Sequence, residues 1–308
     1  MGSRSAMVRA HTGRLRRRKA VEGYLLISPW LVGFLAFTLG PLLASLYYSF
    51  TDYDVLQPPR WIGLGNYATL LHGDPLFWTS LYNTAVYTLL AVPLGAVAGL
   101  AVALMLNQRV PGIAVLRSIY YLPSVMPAVA TAVLWLWLLD PHTGIINSLL
   151  RLAGAPQPGW LADPNWAKPA LVLLSLWGFG TSMVIYLAGL QNIPTELYEA
   201  AMLDGAGELR KFRHVTLPML SPVILFNVII GTINSFQVFT AAFIMTGGGP
   251  ANATRFYVLY LFNQAFGYFH MGVAAAMAWV LFLLVVLIAF AQFRLIGSRV
   301  YYEGAARR

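Results

Sequence analysis

Six long stretches of this chain carry no Asp, Glu, Lys, Arg or His near their centres: about 24–50, 80–106, 117–139, 169–190, 220–246 and 272–293. A helix needs about 20 mostly apolar residues to cross the roughly 30 Å hydrocarbon core of a bilayer. Each stretch meets that length, so the sequence predicts an all-α, polytopic membrane protein with six transmembrane helices. The first stretch opens Tyr24-Leu-Leu-Ile-Ser-Pro29-Trp30. It is too long and too rich in proline and aromatics for a cleaved signal peptide, and reads as a retained span.

Composition closes the alternatives. Hydrophobic residues make up 58% of the 308 and charged residues only 10%, against about 25% charged in ordinary soluble domains. A soluble globule could not cover that apolar surface, and disordered chains are poor in these same residues. There are no cysteines, which removes disulfides, thiolate metal sites and Cys nucleophiles. No catalytic or metal site is expected.

The basic residues set the orientation. With the N-terminus in the cytoplasm, 16 of the 20 Lys and Arg fall on the inner side, including seven before Glu22 and the set Arg109, Arg117, Arg210, Lys211, Arg213, Arg294, Arg299, Arg307 and Arg308. Only Arg60, Arg151, Lys168 and Arg255 fall outside. The positive-inside rule then places both termini in the cytoplasm. The run Arg14 to Lys19 reads as an orientation signal and an anionic-lipid anchor rather than a nucleic-acid surface. On this reading residues 1–23 are a basic cytoplasmic tail, 24–294 the transmembrane domain and 295–308 a second cytoplasmic tail.

The spans also lack what an autonomous pump needs. Proton- and ion-driven carriers use ionisable groups inside the membrane, and none is present. Nor is there a phosphate-binding G-x-x-x-x-G-K-[ST] loop; Gly247-Gly-Gly-Pro250 lacks its lysine. A membrane enzyme would have to draw on the outer acids Asp52, Asp54, Asp74, Asp140 and Asp163, which are scattered with no evident pairing. Pro29, Pro41, Pro93, Pro123, Pro127 and Pro222 should kink their helices. Gly95 and Gly99, with Ala91 and Ala98 nearby, read as an expected close-packing seam.

The cytoplasmic connection 191–219 is too patterned for a passive loop. Pro194-Thr195 supplies a stop and a helix N-cap, with Glu196 and Glu199 in the acid-favouring first turns. Leu197, Ala200, Ala201 and Asp204 share one face. Gly205 stands where a left-handed residue would end the helix. A second short helix begins near Glu208 and is expected to stop at Leu217-Pro218. The alanines favour protein docking over an interfacial lipid-bound helix, whose basic residues are missing here.

At these residues, Glu199-Ala-Ala-Met-Leu-Asp-Gly-Ala206 followed by Phe212, Leu217-Pro218 and Pro222, the chain resembles the membrane subunits of bacterial ABC importers. Ser28-Pro-Trp30, Tyr121-Leu-Pro123, Gly63-Leu-Gly-Asn-Tyr67 and Thr246-Gly-Gly-Gly-Pro250 are similar to the carbohydrate branch, the maltose and oligosaccharide permeases. The resemblance runs from about residue 22 to 300. It implies the type I importer permease fold, in the cytoplasmic membrane of a bacterium, and a subunit that is not itself an enzyme. It further implies a second permease subunit, two ATP-binding subunits that hold the ATP and Mg, an extracytoplasmic sugar-binding protein, and a carbohydrate substrate. In that family the segment is a coupling helix, so Glu199, Ala200, Ala201, Asp204 and Gly205 would contact the ATPase. A permease for another solute, such as glycerol phosphate, is the alternative.

A sugar site needs amides, hydroxyls and aromatic faces. The fifth span offers Asn227, Gly231, Asn234, Ser235 and Gln237; the fourth offers Trp177, Phe179, Thr181, Ser182 and Tyr186 around Gly178 and Gly180. By similarity to the maltose permeases, Trp177, Gly178, Thr181, Ser182, Ser235 and Gln237 are the expected substrate-pathway positions.

Overall fold

A computed structural model describes residue 19 and residues 21–108 and 110–297. The basic run that begins at Arg14, together with Arg109, Arg299, Arg307 and Arg308, falls largely outside these described residues; only its last member, Lys19, falls within them. The described chain is almost entirely helical. Its principal helices are α1 (Val21–Ser49), α2 (Pro75–Leu106), α3 (Ile113–Val125), α4 (Ala128–Leu138), α5 (Ile145–Leu152), α6 (Pro164–Trp177), α7 (Gly180–Gln191), α8 (Thr195–Leu203), α9 (Leu217–Phe236), α10 (Thr240–Met245), α11 (Tyr257–Phe262) and α12 (Met271–Gly297). A two-residue hairpin pairs β1 (Thr51–Asp52) with β2 (Arg60–Trp61) after α1.

Four helical runs, Val21–Ser49, Pro75–Leu106, Glu208–Met245 and Met271–Leu295, are each long and apolar enough to cross a membrane. The pairs α3–α4 and α6–α7 raise the number to six if each is one span, but they bend by 97° and 47°. The expected spans 117–139 and 169–190 are therefore broken, the first at one of the prolines expected to kink it and the second where no proline stands. In the first, Pro127 follows Met126 in an extended conformation that cannot continue α3. In the second, the break falls at Gly178-Phe179, beside a close crossing. A Cβ on Gly180 would lie 3.0 Å from Tyr121 Cα, so α7 passes directly over the backbone of α3.

The expected stop at Leu217-Pro218 is also absent. The helix beginning at Glu208 runs on through Phe212–Thr216 into α9. That stretch is a wider, π-type turn, in which the Leu217 N–H bonds the Phe212 carbonyl. Widening lets the chain pass a proline that would otherwise crowd the preceding turn.

α2 is the central post, packed against α6, α7 and α9, while α12 packs against α1 and α9. Glycines permit the closest approaches. A Cβ on Gly99 would meet Ser182 Oγ at 2.7 Å, and one on Gly189 would meet the Leu220 side chain at 2.8 Å. Small residues let backbones draw together where lipid gives helices no hydrophobic reason to associate.

The loop after α10 is stapled to the post by one buried amide. Asn83 Nδ2 donates to the carbonyls of Asn252 and Arg255 at 2.7 and 3.2 Å, and Asn83 Oδ1 accepts from Lys168 Nζ at 2.8 Å. Removing a buried partner strands the rest, at about 1–3 kcal/mol. Asn83→Ala should therefore lower the thermal midpoint of the purified protein by several degrees, and Asn83→Asp should recover the Lys168 contact alone.

Candidate functional site: a polar cavity and an exposed helix

Three walls enclose a cavity of about 400 Å³, within the range of roughly 300–1,000 Å³ for small-molecule sites. One wall is α2, through Tyr87, Ala91, Val92, Gly95 and Ala96. The α6–α7 break supplies Ser175, Gly178, Phe179, Thr181 and Ser182, and α9 supplies Asn227, Gly231, Asn234 and Ser235. Its described lining holds no charged side chain. Breaks in spanning helices free backbone and small side chains toward a cavity, where irregular backbone is tolerated.

Several polar groups here are already engaged. Ser182 Oγ donates to the Phe179 carbonyl at 2.8 Å, Ser175 Oγ to that of Val172 at 2.6 Å, and Asn227 Nδ2 to that of Val223 at 3.0 Å. The side chains of Thr181, Asn234 and Ser235 make no hydrogen bond to another described residue. Their donors and acceptors are unspent. Gly95 faces open space, with no atom within 4 Å of the position a Cβ would take.

Of the six positions expected from sequence, Gly178, Thr181, Ser182 and Ser235 come together in this cavity. Trp177 lies in an adjoining pocket of about 240 Å³ with Ser124, Thr131 and Ala241, and this pocket shares Ser175, Gly178 and Thr181 with the first. The Trp177 ring stands edge-on to Trp135 at 5.7 Å. Gln237, exposed where α9 ends, lines neither space. The α2 wall, Tyr87 above all, was not among the expected pathway positions. Its only sequence signal was the run of small residues around Gly95, which equally well describes helix packing.

The second candidate surface is α8. Pro194 precedes the helix with no side-chain cap and Thr195 is its first helical residue, so the expected Thr195 N-cap is displaced by one position. Proline before the helix fixes φ and leaves no side-chain oxygen to cap with. The C-terminus follows expectation. Gly205 has φ +73°, its N–H bonds the Met202 carbonyl at 3.0 Å, and the Ala206 N–H bonds the Ala201 carbonyl at 2.9 Å. These two bonds form a Schellman motif. Glu199, Ala200, Asp204 and Gly205 are exposed and Ala201 is half-buried. Leu203 is 91% exposed and Leu209 79%, which leaves apolar side chains uncovered on either side of the Gly205 turn.

One residue that the sequence did not single out fixes this helix to the membrane bundle. The Tyr198 hydroxyl hydrogen-bonds Thr216 Oγ1 at 3.0 Å, and its ring packs on a core of Met183, Tyr186, Leu190 and Leu220.

Asp52, Asp54, Asp74, Asp140 and Asp163 have structural tasks instead of forming a cluster. Asp74 and Asp163 cap α2 and α6, accepting from Leu76, Phe77 and Asn165 amides. Asp52 faces Arg60 at 3.6 Å, and Asp54 accepts from the Gln57 amide. Asp140 accepts from the amide and hydroxyl of Thr143 and the amide of His142, and these bonds hold its carboxyl below the usual range.

Residues 91–301 match the family described as the binding-protein-dependent transport system inner membrane component. The chain is 44% identical over 291 residues to a probable ABC transporter permease of Bacillus subtilis, covering 93% of this chain and 94% of that one. It is 35% identical to the trehalose/maltose transport system permease of Thermococcus litoralis (85% and 88% covered) and 36% identical to the lactose transport system permease of Rhizobium radiobacter (91% and 95%). A chain of a bacterial ABC transporter that imports the acidic polysaccharide alginate shares the fold, with a TM-score of 0.80 at 24% identity over 92% of this chain and 99% of that one.

Proposed function

The chain belongs to the family of binding-protein-dependent transport system inner membrane components, and we propose that it is the permease subunit of an ATP-driven carbohydrate importer. The supporting observation is the cavity at the helix breaks, whose free hydroxyls and amide are matched to a neutral polyol and whose described lining offers no cation for a phosphate ester. Relatives named for trehalose/maltose and lactose transport point the same way.

On this reading each bent pair is one span, which gives six, with both termini in the cytoplasm and the protein in the bacterial cytoplasmic membrane. α8 is the coupling helix, seated on an ATP-binding subunit through Glu199, Ala200, Ala201, Asp204 and Gly205. ATP and Mg are held by two such partner subunits, a second permease completes the pathway, and an extracytoplasmic binding protein delivers the sugar. The neutral sugar would hydrogen-bond Thr181, Asn234 and Ser235, with Trp177 offering a ring face from the adjoining pocket.

Uptake of radiolabelled mono- and disaccharides by the co-purified, reconstituted complex tests this. Thr181→Val and Asn234→Leu should each raise the apparent KM for one sugar severalfold, since a lost hydrogen bond is worth about 0.5–1.5 kcal/mol. Trp177→Ala should do the same, while Gln237→Ala should stay near wild type. Unchanged kinetics in the first three variants, or transport by the chain alone, would overturn the reading.

A further inference from the structure

The connection from α4 to α6 carries a helix with two apolar sides. In α5, Ile146, Leu150 and Asn147 turn toward the protein, and Asn147 is buried. Its amide donates to the Pro141 and Pro158 carbonyls at 3.2 and 3.1 Å and its Oδ1 accepts from Trp160 Nε1 at 2.8 Å. The opposite stripe, Ile145, Leu149 and Leu152, follows the i, i+4, i+7 pattern of one helix face. It is uncovered: these side chains are 45%, 60% and 85% exposed.

The level of this helix relative to a bilayer is set by its attachments. α4 ends at Leu138, and the Asp140 turn leads directly into α5. At the other side, Trp160 stacks edge-on against Trp166 at 5.3 Å, and Trp166 stands in the first turn of α6. Trp137 and Trp166 are both substantially exposed at these span ends. Exposed tryptophans at span ends mark the boundary between hydrocarbon and headgroups. Arg151, exposed on the flank of the stripe, can reach anionic headgroups, and no acid lies on the stripe itself.

We propose that α5 is an interfacial anchor whose Ile145–Leu149–Leu152 stripe is seated in the lipid leaflet at the ends of α4 and α6, with Arg151 at the phosphates. The inference rests on the reading of α4 and α6 as parts of membrane spans. It assigns the surface to lipid rather than to a protein partner.

The natural chain has no cysteine, so single nitroxide labels can be placed without background. Labels at Leu149→Cys and, as a second site should the first misfold, Leu152→Cys would be read in the reconstituted complex in bilayer nanodiscs. Collision with dissolved oxygen and with a water-soluble nickel chelate would be compared. The expected result is an oxygen-to-nickel ratio severalfold above that of Gln157→Cys on the adjoining loop and close to that of Leu287→Cys on α12. A nickel-accessible label would mean a water-facing helix, and a label shielded from both reagents would mean a protein cover; either overturns the proposal. If Leu287→Cys were itself water-accessible, the membrane reading would have failed instead.

Discussion

Gly95→Leu should abolish sugar uptake while the complex assembles at wild-type yield. A leucine here grows into the cavity from the α2 wall, where nothing stands within 4 Å of its first carbon. It therefore takes cavity space without displacing a helix. Gly99→Leu, one turn further along the same face, should do the opposite. Its Cβ would fall 2.7 Å from Ser182 Oγ and 3.5 Å from the Met183 backbone nitrogen, so α2 and α7 must separate. Overpacking of this kind costs about 1–3 kcal/mol, and the expected outcome is loss of the assembled complex from the membrane fraction. Size-exclusion profiles beside uptake assays separate the two effects. A Gly95→Leu protein that transports normally would remove the cavity from the substrate route.

Gly205→Val should uncouple ATP hydrolysis from transport, whereas Gly205→Asn should largely retain it. The glycine sits at φ +73° with open space around it, so the penalty is backbone strain alone. A left-handed conformation costs an ordinary residue about 1–2 kcal/mol, and asparagine tolerates it. Ala200→Trp tests the docking face itself, because Ala200 is exposed and its enlargement disturbs nothing within this chain. Glu199→Lys adds a charge reversal at a carboxylate that pairs with no basic group among the described residues. The measurements are sugar-stimulated ATP hydrolysis and pull-down of the ATP-binding subunit. Retained binding with lost stimulation would place the Gly205→Val defect in transmission. Normal hydrolysis and uptake in Gly205→Val, Ala200→Trp and Glu199→Lys alike would remove α8 from the coupling role.

What could be read from the sequence followed from solvent, and what could not followed from contacts. Long apolar runs locate membrane-crossing segments because lipid excludes charge, and Gly205 announced its turn because few residues tolerate φ above zero. Hydropathy carries no direction, however: Pro127 announced a kink but not its 97°, and the 47° turn at Gly178 had no proline to announce it. How far a chain bends depends on what it meets, as α7 meets the α3 backbone beneath Gly180. Tyr87 was passed over because an aromatic in an apolar run looks like any core residue, and Tyr198 because nothing in Glu-Leu-Tyr-Glu announces the Thr216 hydroxyl it meets. The tie between Asn83 and the Asn252–Arg255 loop joins positions far apart in the chain, which no local pattern encodes.

The missing stop at Pro218 has a mechanical consequence. Since the wide turn at Phe212–Thr216 keeps Glu208 and Ser235 on one rod, the distance from the foot of that rod to the cavity wall is roughly 40 Å at 1.5 Å per residue. Tyr198 bolts α8 to the rod at Thr216, near its foot. Pivoted near its middle, a rod of that length tilted by about 5° swings each end by roughly 2 Å, comparable to the reach lost when one hydrogen bond opens. Asn234 and Ser235 ride at the far tip, so, if the cavity holds the sugar as proposed, a small rocking of the foot would change the grip on it.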